Sequence, residues 1–362
     1  MRILQVFGKL DRGGAETMIM NYYRNIDREQ IQFDFVVNFK EEGAYEAEIK
    51  LLGGEIFRLP RFRGYNVISF LYAWFCFLKA NNYWDIIHIH NFKIAGLVFP
   101  IAKMLGVKRR IVHMHIANAK YSPLRRIGYN VTKWLVNLSA TERLACSEDA
   151  GKCYFGRREF IVVNNAIDAQ KFIFNTDIRT EKRAEFDIND KFVVGHIGRF
   201  SEQKNHPFII DIFKRIHNRN NNSVLMLVGI GSPIKEQMER RVIEVNLRDS
   251  VIFTGARADV HELMQAMDVF LFPSLYEGLG IVAIEAQAAG LPTIVSNEVP
   301  DAAMITGLVE KISLNESAGY WAEALLKHNN GYSRRNMYDE VRKAGYDIHD
   351  NVKWLENLYY NE

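Results

Sequence analysis

Residues 269–290 read VFLFPSLYEGLGIVAIEAQAAG. The apolar run VFLF ends at Pro273-Ser274, the next six residues carry two glycines, and the remainder has the small, apolar composition of a packed helix. A strand, a tight turn and a helix in that order form half of a unit in which helices cover a parallel sheet. Gly278 and Gly280, on either side of Leu279, let the backbone turn sharply and come close to a ligand. The unpaired N–H groups at the helix start, near Ile281 and Val282, would meet that ligand with the positive end of the helix dipole, which suits a phosphate. Glu285 stands about one turn into the helix, where a carboxylate can accept hydrogen bonds from a diol such as a ribose. Glu277 precedes the glycines and stands nearer any reacting group. Either glutamate alone could simply complement the helix dipole. Set on both sides of a glycine turn, the two point to a phosphate cradle with a carboxylate at each end.

The same rhythm extends outward. Strands are expected at 3–7, 33–38, 86–90 and 110–115, then at 192–198, 224–229, 251–255, 269–274 and 293–296. Helices are expected near 15–26, 44–52, 67–80, 94–105 and 123–138, then near 205–219, 235–246, 259–266, 281–289 and 317–328. This alternation predicts an α/β protein with parallel sheets covered on both faces. The two blocks meet after Asn164-Asn165-Ala166-Ile167-Asp168, without a Gly/Pro-rich linker. Ligands of open α/β sheets bind beyond the carboxyl ends of the strands, so the strand exits are where chemistry is expected.

Four further exits carry candidate residues. Strand 192–198 ends in Gly198-Arg199, with Lys204 shortly after; a guanidinium fork and a flexible ammonium suit the two phosphates of a nucleoside diphosphate, although two surface cations would read the same. The turn Asp11-Arg12-Gly13-Gly14-Ala15-Glu16 follows the first strand and opens a helix, but it lacks the GxGxxG spacing of a dinucleotide site. His88 and His90, and likewise His113 and His115, are two residues apart at strand ends, which puts each pair on one face. His90 and His115 should lie closest to a ligand, while His88 and His113 read as satisfied core or sheet-face histidines. Two such pairs could hold a metal, but no nearby acid or cysteine completes a set, and none is expected.

Composition supports an ordinary globular chain of two domains: 362 residues, 48% hydrophobic, 25% charged and 12% aromatic. Cys76, Cys146 and Cys153 are too few and scattered for a disulfide framework, so free thiols are expected. The longest mostly apolar run, Val67–Leu78, is shorter than the roughly 20 residues of a membrane span, and the N-terminus lacks a signal-peptide layout; a cytoplasmic protein is expected. The net charge of +3 hides an asymmetry: residues 1–168 hold 24 basic and 16 acidic side chains, residues 169–362 hold 22 and 27. From Arg58 to Lys133 there are 13 basic residues and one acidic residue, Asp85. Such a surface wants an anionic partner. No nucleic-acid signature accompanies it, so a membrane surface fits better. In Tyr121–Leu135 the cations Arg125, Arg126 and Lys133 stand among Ile127, Val131, Trp134 and Leu135, which reads equally as a membrane-docking helix or as a core stripe with solvated cations.

The combination of FPSLYEGLGIVAIEAQAAGLP, GRFSEQKN, LVGIGS, FTGARADV, NNAID and GGAE resembles the retaining GT-B glycosyltransferases of family four, sugar-nucleotide-dependent enzymes of bacterial polysaccharide assembly, over nearly the whole chain. The resemblance implies two facing Rossmann-like domains, residues 1–168 on the acceptor side and 169–346 for the nucleotide-sugar, with a crossover helix (347–362) returning to the first. It implies that Arg199 and Lys204 hold the donor diphosphate, Glu285 the ribose and Glu277 the sugar hydroxyls. His115 then stands at the catalytic strand end, and Gly13 and Gly14 beneath the donor sugar. NNAID replaces the usual NGID, Asn165 being able to take the positive φ of a glycine. The implied activity moves a hexose or N-acetylhexosamine from a nucleotide-sugar, UDP-linked by expectation, to a saccharide or lipid-linked acceptor in cell-surface polysaccharide synthesis, at the inner face of the membrane. With no DxD pair in the sequence, no metal or cofactor is expected. A UDP-sugar epimerase of the same architecture and a non-catalytic partner subunit are the alternatives.

Overall fold

The computed structural model describes residues 1–11, 13–115 and 123–360, with 123–127 described by backbone alone. The chain divides into two compact units, one of Met1–Ile167 with Asp347–Glu362, the other of Asp168–Tyr346. Each is built on an all-parallel sheet, so the α/β class follows directly.

The first unit has the strand order β3-β2-β1-β4-β5-β6-β7, formed by Arg2–Val6, Gln32–Val37, Ile56–Arg58, Ile86–Ile89, Arg109–Met114, Glu142–Ala145 and Ile161–Val162, numbered β1 to β7 along the chain. Successive side chains of a strand point to opposite faces, and β1 shows what that does: Ile3 joins a core with Met18, Tyr22 and Phe33, whereas Leu4 joins one with Trp74, Val98 and Phe99. Helix Gly14–Asn25 and the last helix, Ile348–Tyr360, cover the first face; Val352, Leu355 and Tyr359 are buried there. Helices Val67–Ala80, Phe92–Met104 and Pro123–Ser139 cover the other face. The helix Val67–Ala80 is the apolar run noted in the sequence, and no helix among the described residues is long and apolar enough to cross a membrane.

The second unit orders its strands β10-β9-β8-β11-β12-β13, formed by Phe192–Ile197, Ser223–Val228, Val251–Gly255, Val269–Phe272, Thr293–Ser296 and Val309–Ile312 as β8 to β13. β8 and β11 are neighbours at the centre, with Val194 beside Val269, and their exits therefore converge. The strands expected from the sequence are all present. Four are additional: β3, β6, β7 and β13, with two to four residues each, too short for a periodicity to show. Helices Glu148–Phe155 and Thr176–Glu185 are likewise additional. Among the described residues other than glycine, positive φ occurs at Asp187, Asn205 and Asn246, not at Asn165; the turn at NNAID needs no left-handed residue there, and glycine's freedom is dispensable.

Candidate active site

In the second unit, three consecutive residues after β8 are stitched to the loop after β11. The Leu275 N–H donates to the Gln203 carbonyl at 2.8 Å, and Gln203 Nε2 donates to the Tyr276 carbonyl at 2.9 Å. Asn205, held at φ 57°, donates from Nδ2 to the Pro273 carbonyl at 3.2 Å. Between them Lys204 Nζ meets Glu277 Oε1 at 2.5 Å, with both side chains largely covered, and lies 4.5 Å from the centre of the Phe272 ring. Gly198 makes room for this: a Cβ there would stand 3.2 Å from two carbons of the Lys204 side chain. The sequence reading grouped Lys204 with Arg199 as a cationic pair and placed Glu277 apart. The structure instead brings Lys204 onto Glu277, while Arg199 is exposed and makes no side-chain hydrogen bond or ion pair among the described residues.

The glycine turn is built as its composition requires. Gly280 has φ 83° and ψ 49°, a left-handed conformation costly for any residue with a Cβ, and it precedes helix Ile281–Ala288. Leu279 is buried and anchors the turn, Gly278 is exposed, and the N–H groups of Ile281 and Val282 open the helix. Glu285 follows on the same helix, and burial pushes its carboxyl up to about 7. Two histidines that sequence reasoning passed over sit beneath this loop. His196 donates through Nδ1 to the Leu271 carbonyl, 2.9 Å away, and His206 stacks on Phe200; both are fully buried, and burial lowers both, His206 to about 4. Only the aromatic spacing around GRFSEQKNH could have signalled them.

In the first unit, β4 and β5 lie side by side, His88 level with Ile111. The two histidine pairs thus become one stack: ring centres are 4.4 Å apart for His88 and His90, 5.4 Å for His88 and His113, 5.1 Å for His90 and His115, and 4.2 Å for His113 and His115. Burial holds all four neutral, His88 and His115 at about 3 and the other two well below the usual range. Gln5 of β1 and Tyr359 of the last helix complete the cluster. Gln5 Nε2 donates to the Tyr359 hydroxyl, which in turn donates to His88 Nδ1 at 2.8 Å. Gln5 Oε1 accepts from His90 Nε2 at 2.9 Å, so His90 Nδ1 is an acceptor and receives the proton of His115 Nε2 at 2.8 Å. The chain of bonds leaves His115 Nδ1 with a bare lone pair and no partner among the described residues.

His88 and His113 are buried in the core, but the expectation that they are satisfied there needs correction, because His88 Nε2 and both nitrogens of His113 have no hydrogen-bond partner among the described residues. Neutrality and ring stacking make this tolerable. Donor atoms of His88, His90 and His113 lie within 4.8 Å of one another, so three imidazoles could surround a metal without any carboxylate. Near-parallel stacking, however, sets their lone pairs side by side, and His90 is engaged at both nitrogens. The arrangement is that of a hydrogen-bonded stack.

Gly13 caps helix Gly14–Asn25, and a Cβ on it would stand 2.3 Å from Glu16 Oε2, whereas Gly14 has open space around it; Arg12 lies outside the described residues. In the segment 121–135, Tyr121 and Ser122 also lie outside them, as do the side chains of Arg125, Arg126 and Ile127. Of the residues a core stripe would need, Val131 is 53% and Trp134 62% exposed, and Leu138 is exposed beside them. The core reading therefore fails for Val131 and Trp134.

Comparison with known proteins agrees with this architecture. The family model for group 1 glycosyl transferases matches residues 178–329. EpsF of Bacillus subtilis, a glycosyltransferase by name, is 36% identical over 99% of this chain and 96% of its own length. An Escherichia coli enzyme named UDP-Gal:alpha-D-GlcNAc-diphosphoundecaprenol alpha-1,3-galactosyltransferase is 34% identical over 61% of this chain and 59% of its own. Among solved structures, Anabaena HepE in complex with UDP superposes with a TM-score of 0.81 at 17% identity, covering 99% of both chains. The epimerase and partner-subunit readings find no support among these relatives. A parallel two-unit fold, the stitched loops of the second unit and a relative matched from end to end make the chain a member of the group 1 glycosyl transferases, a glycosyltransferase of the GT-B, family-four type.

Proposed function

We propose that this glycosyltransferase takes a hexose or N-acetylhexosamine from a UDP-sugar and transfers it, with retention of anomeric configuration, to a saccharide or lipid-linked saccharide in cell-surface polysaccharide synthesis. The observation that carries the reading is the Lys204–Glu277 pair inside the stitched loops. An ammonium has three protons. One bonds Glu277, and two remain for oxygens of a diphosphate, joined by the exposed Arg199 fork and the N–H groups of Ile281 and Val282. Charge developing on the leaving diphosphate is thereby met by fixed donors, which is where catalytic stabilisation is largest. Glu277 keeps Oε2 free to accept a sugar hydroxyl, and Glu285 accepts the ribose diol. His115 offers the lone pair of Nδ1 to a sugar hydroxyl; held neutral, it positions and does not carry charge. Gly14, with open space around it, lets a sugar approach the backbone, and Gly13 beside it lies against the Glu16 carboxylate.

No metal or cofactor is required on this reading, since cations of the chain hold the diphosphate, and transfer should persist in EDTA. The acceptor reading draws on the E. coli relative, whose name specifies a diphosphoundecaprenol acceptor. With such an acceptor the chain works at the inner face of the membrane, and the exposed Val131, Trp134 and Leu138, beside Lys133, suit docking to anionic lipid. Incubation with a panel of UDP-, GDP- and ADP-sugars tests the reading: release of UDP, with the anomeric configuration of the product read by NMR, supports it. An epimerised free sugar or no nucleotide release sinks it.

A further inference from the structure

The loops leaving β1, β2 and β3 in the first unit enclose a groove of about 870 Å³. Five cations line it, Lys9, Lys40, Arg58, Arg61 and Arg63, against one carboxylate, Glu41. Two of the five are neutralised: Lys9 pairs with Asp11 at 2.8 Å and Arg58 with Glu46 at 2.5 Å. Lys40, Arg61 and Arg63 have no carboxylate partner among the described residues. The Arg61 guanidinium lies over the Phe39 ring, 4.4 Å from its centre, so its flat face is covered and its N–H edge stays available for a bidentate contact. Asn38 also lines the groove; it is 7% exposed, spends Nδ2 on the Leu59 and Pro60 carbonyls, and has no partner for Oδ1 among the described residues. Arg63 donates from Nη1 to the Tyr65 hydroxyl at 3.4 Å, and guanidinium edges that meet no carboxylate, beside a buried unfilled acceptor, match a diphosphate joined to a hydroxyl-bearing sugar.

The rim continues into apolar surface. Tyr65 and Asn66 line the groove, and Asn66 precedes helix Val67–Ala80. That helix carries one charge, Lys79, and turns Ile68, Tyr72 and Cys76 outward, one per turn, with Ile68 82% exposed. A water-facing helix would carry charged residues at these positions. We infer that this groove takes the diphosphate of a polyprenyl-diphosphate-linked acceptor, with Ile68 and Tyr72 against its prenyl chain. This rests on the lipid-linked acceptor proposed above and adds where the acceptor is held and by which of its groups.

The test uses the full chain saturated with UDP and measures binding of farnesyl diphosphate, inorganic pyrophosphate and farnesol by calorimetry. Farnesyl diphosphate should bind more tightly than either fragment. Arg61→Glu/Arg63→Glu should weaken it roughly tenfold or more, as expected when charged hydrogen bonds are lost, and Ile68→Ser/Tyr72→Ser should reduce the advantage over pyrophosphate. These side chains are exposed, so the variants should fold, which unchanged UDP affinity would verify. Pyrophosphate binding as tightly as farnesyl diphosphate, or binding indifferent to the arginine pair, overturns the inference. Failure of wild type to bind UDP, with farnesyl diphosphate binding still dependent on Arg61 and Arg63, would instead overturn the donor assignment and leave the groove standing.

Discussion

The exits of the central strands differ sharply between the two units. At the ends of β4 and β5 stand four imidazoles held neutral, His88 and His113 buried and His90 and His115 partly so; Gln5 and Tyr359 tie His88, His90 and His115 together, and His113 joins them by ring stacking. Beyond β8 and β11 stand a covered ion pair, an exposed guanidinium and a buried carboxyl raised to about 7. One architecture thus supports two electrostatic tasks. On the proposed reading the second unit would absorb charge on a leaving diphosphate, and the first would orient neutral hydroxyls through imidazoles that carry no charge.

Removing charge from the second unit should do most damage. Lys204→Ala and Arg199→Ala should each lower turnover by roughly 10²–10³, the loss typical of one missing donor to a developing anion, and steady-state kinetics with calorimetry of UDP binding check it. Normal turnover in both would place charge stabilisation elsewhere and erase the contrast.

The carboxylates should then separate. Glu277→Gln should lower kcat, because the sugar it contacts changes charge during transfer, whereas Glu285→Gln should mainly raise the donor KM, because the ribose is held alike in ground and transition states. Kinetics untouched by both substitutions would show that the two glutamates serve only the helix start.

A pH series sharpens the comparison further. On the proposed reading the Glu285 carboxylate would accept ribose hydroxyls, and its protonated fraction falls as pH rises through about 7. UDP affinity should therefore rise from pH 6 to 8, and Glu285→Gln should flatten the curve. The histidine stack is linked to protons in the same direction, at lower pH. Its rings are held far below the ordinary imidazole value, so the unfolded chain binds protons first as pH falls below about 6.5, and thermal stability should decline from there toward pH 4 while staying insensitive to these rings above it. Stability unchanged down to pH 4 would mean the stack is not neutral.

His115→Ala should reduce turnover with UDP affinity close to normal; a large loss of UDP binding would move His115 into the diphosphate's surroundings. The smallest effect concerns the surface. Co-sedimentation with phosphatidylglycerol vesicles should fade with salt, with Arg125→Glu/Arg126→Glu and with Trp134→Ser. No binding at low salt rules out docking by this helix.

Much of the fold was legible in local spacing. The glycine turn at 278–280, the strand-helix alternation and the two glutamates are separated by a few residues, and the backbone conformation that places them is dictated by those same residues. Gly280 takes the left-handed conformation that its lack of a Cβ allows. Short edge strands such as Ile56–Arg58 were not legible, because three residues show no alternation and their pairing with β2 supplies the order.

The site itself divides along the same line. Sequence determined that His88 and His90, and His113 and His115, would each share a face, since that follows from the period of a strand. Only the tertiary structure decided that the pairs form one stack, because the adjacency of β4 and β5, and the return of Tyr359 from 271 residues beyond His88, depend on sheet order and helix packing. Lys204 and Glu277 are 73 residues apart and meet only because β8 and β11 are neighbours. The basic groove likewise collects Lys9, Lys40 and Arg61 from three loops whose parallel strands end at one edge. A local pattern fixes which way a side chain points; which distant side chain it meets is settled by the burial of helices on both faces of a parallel sheet, a property of the whole chain.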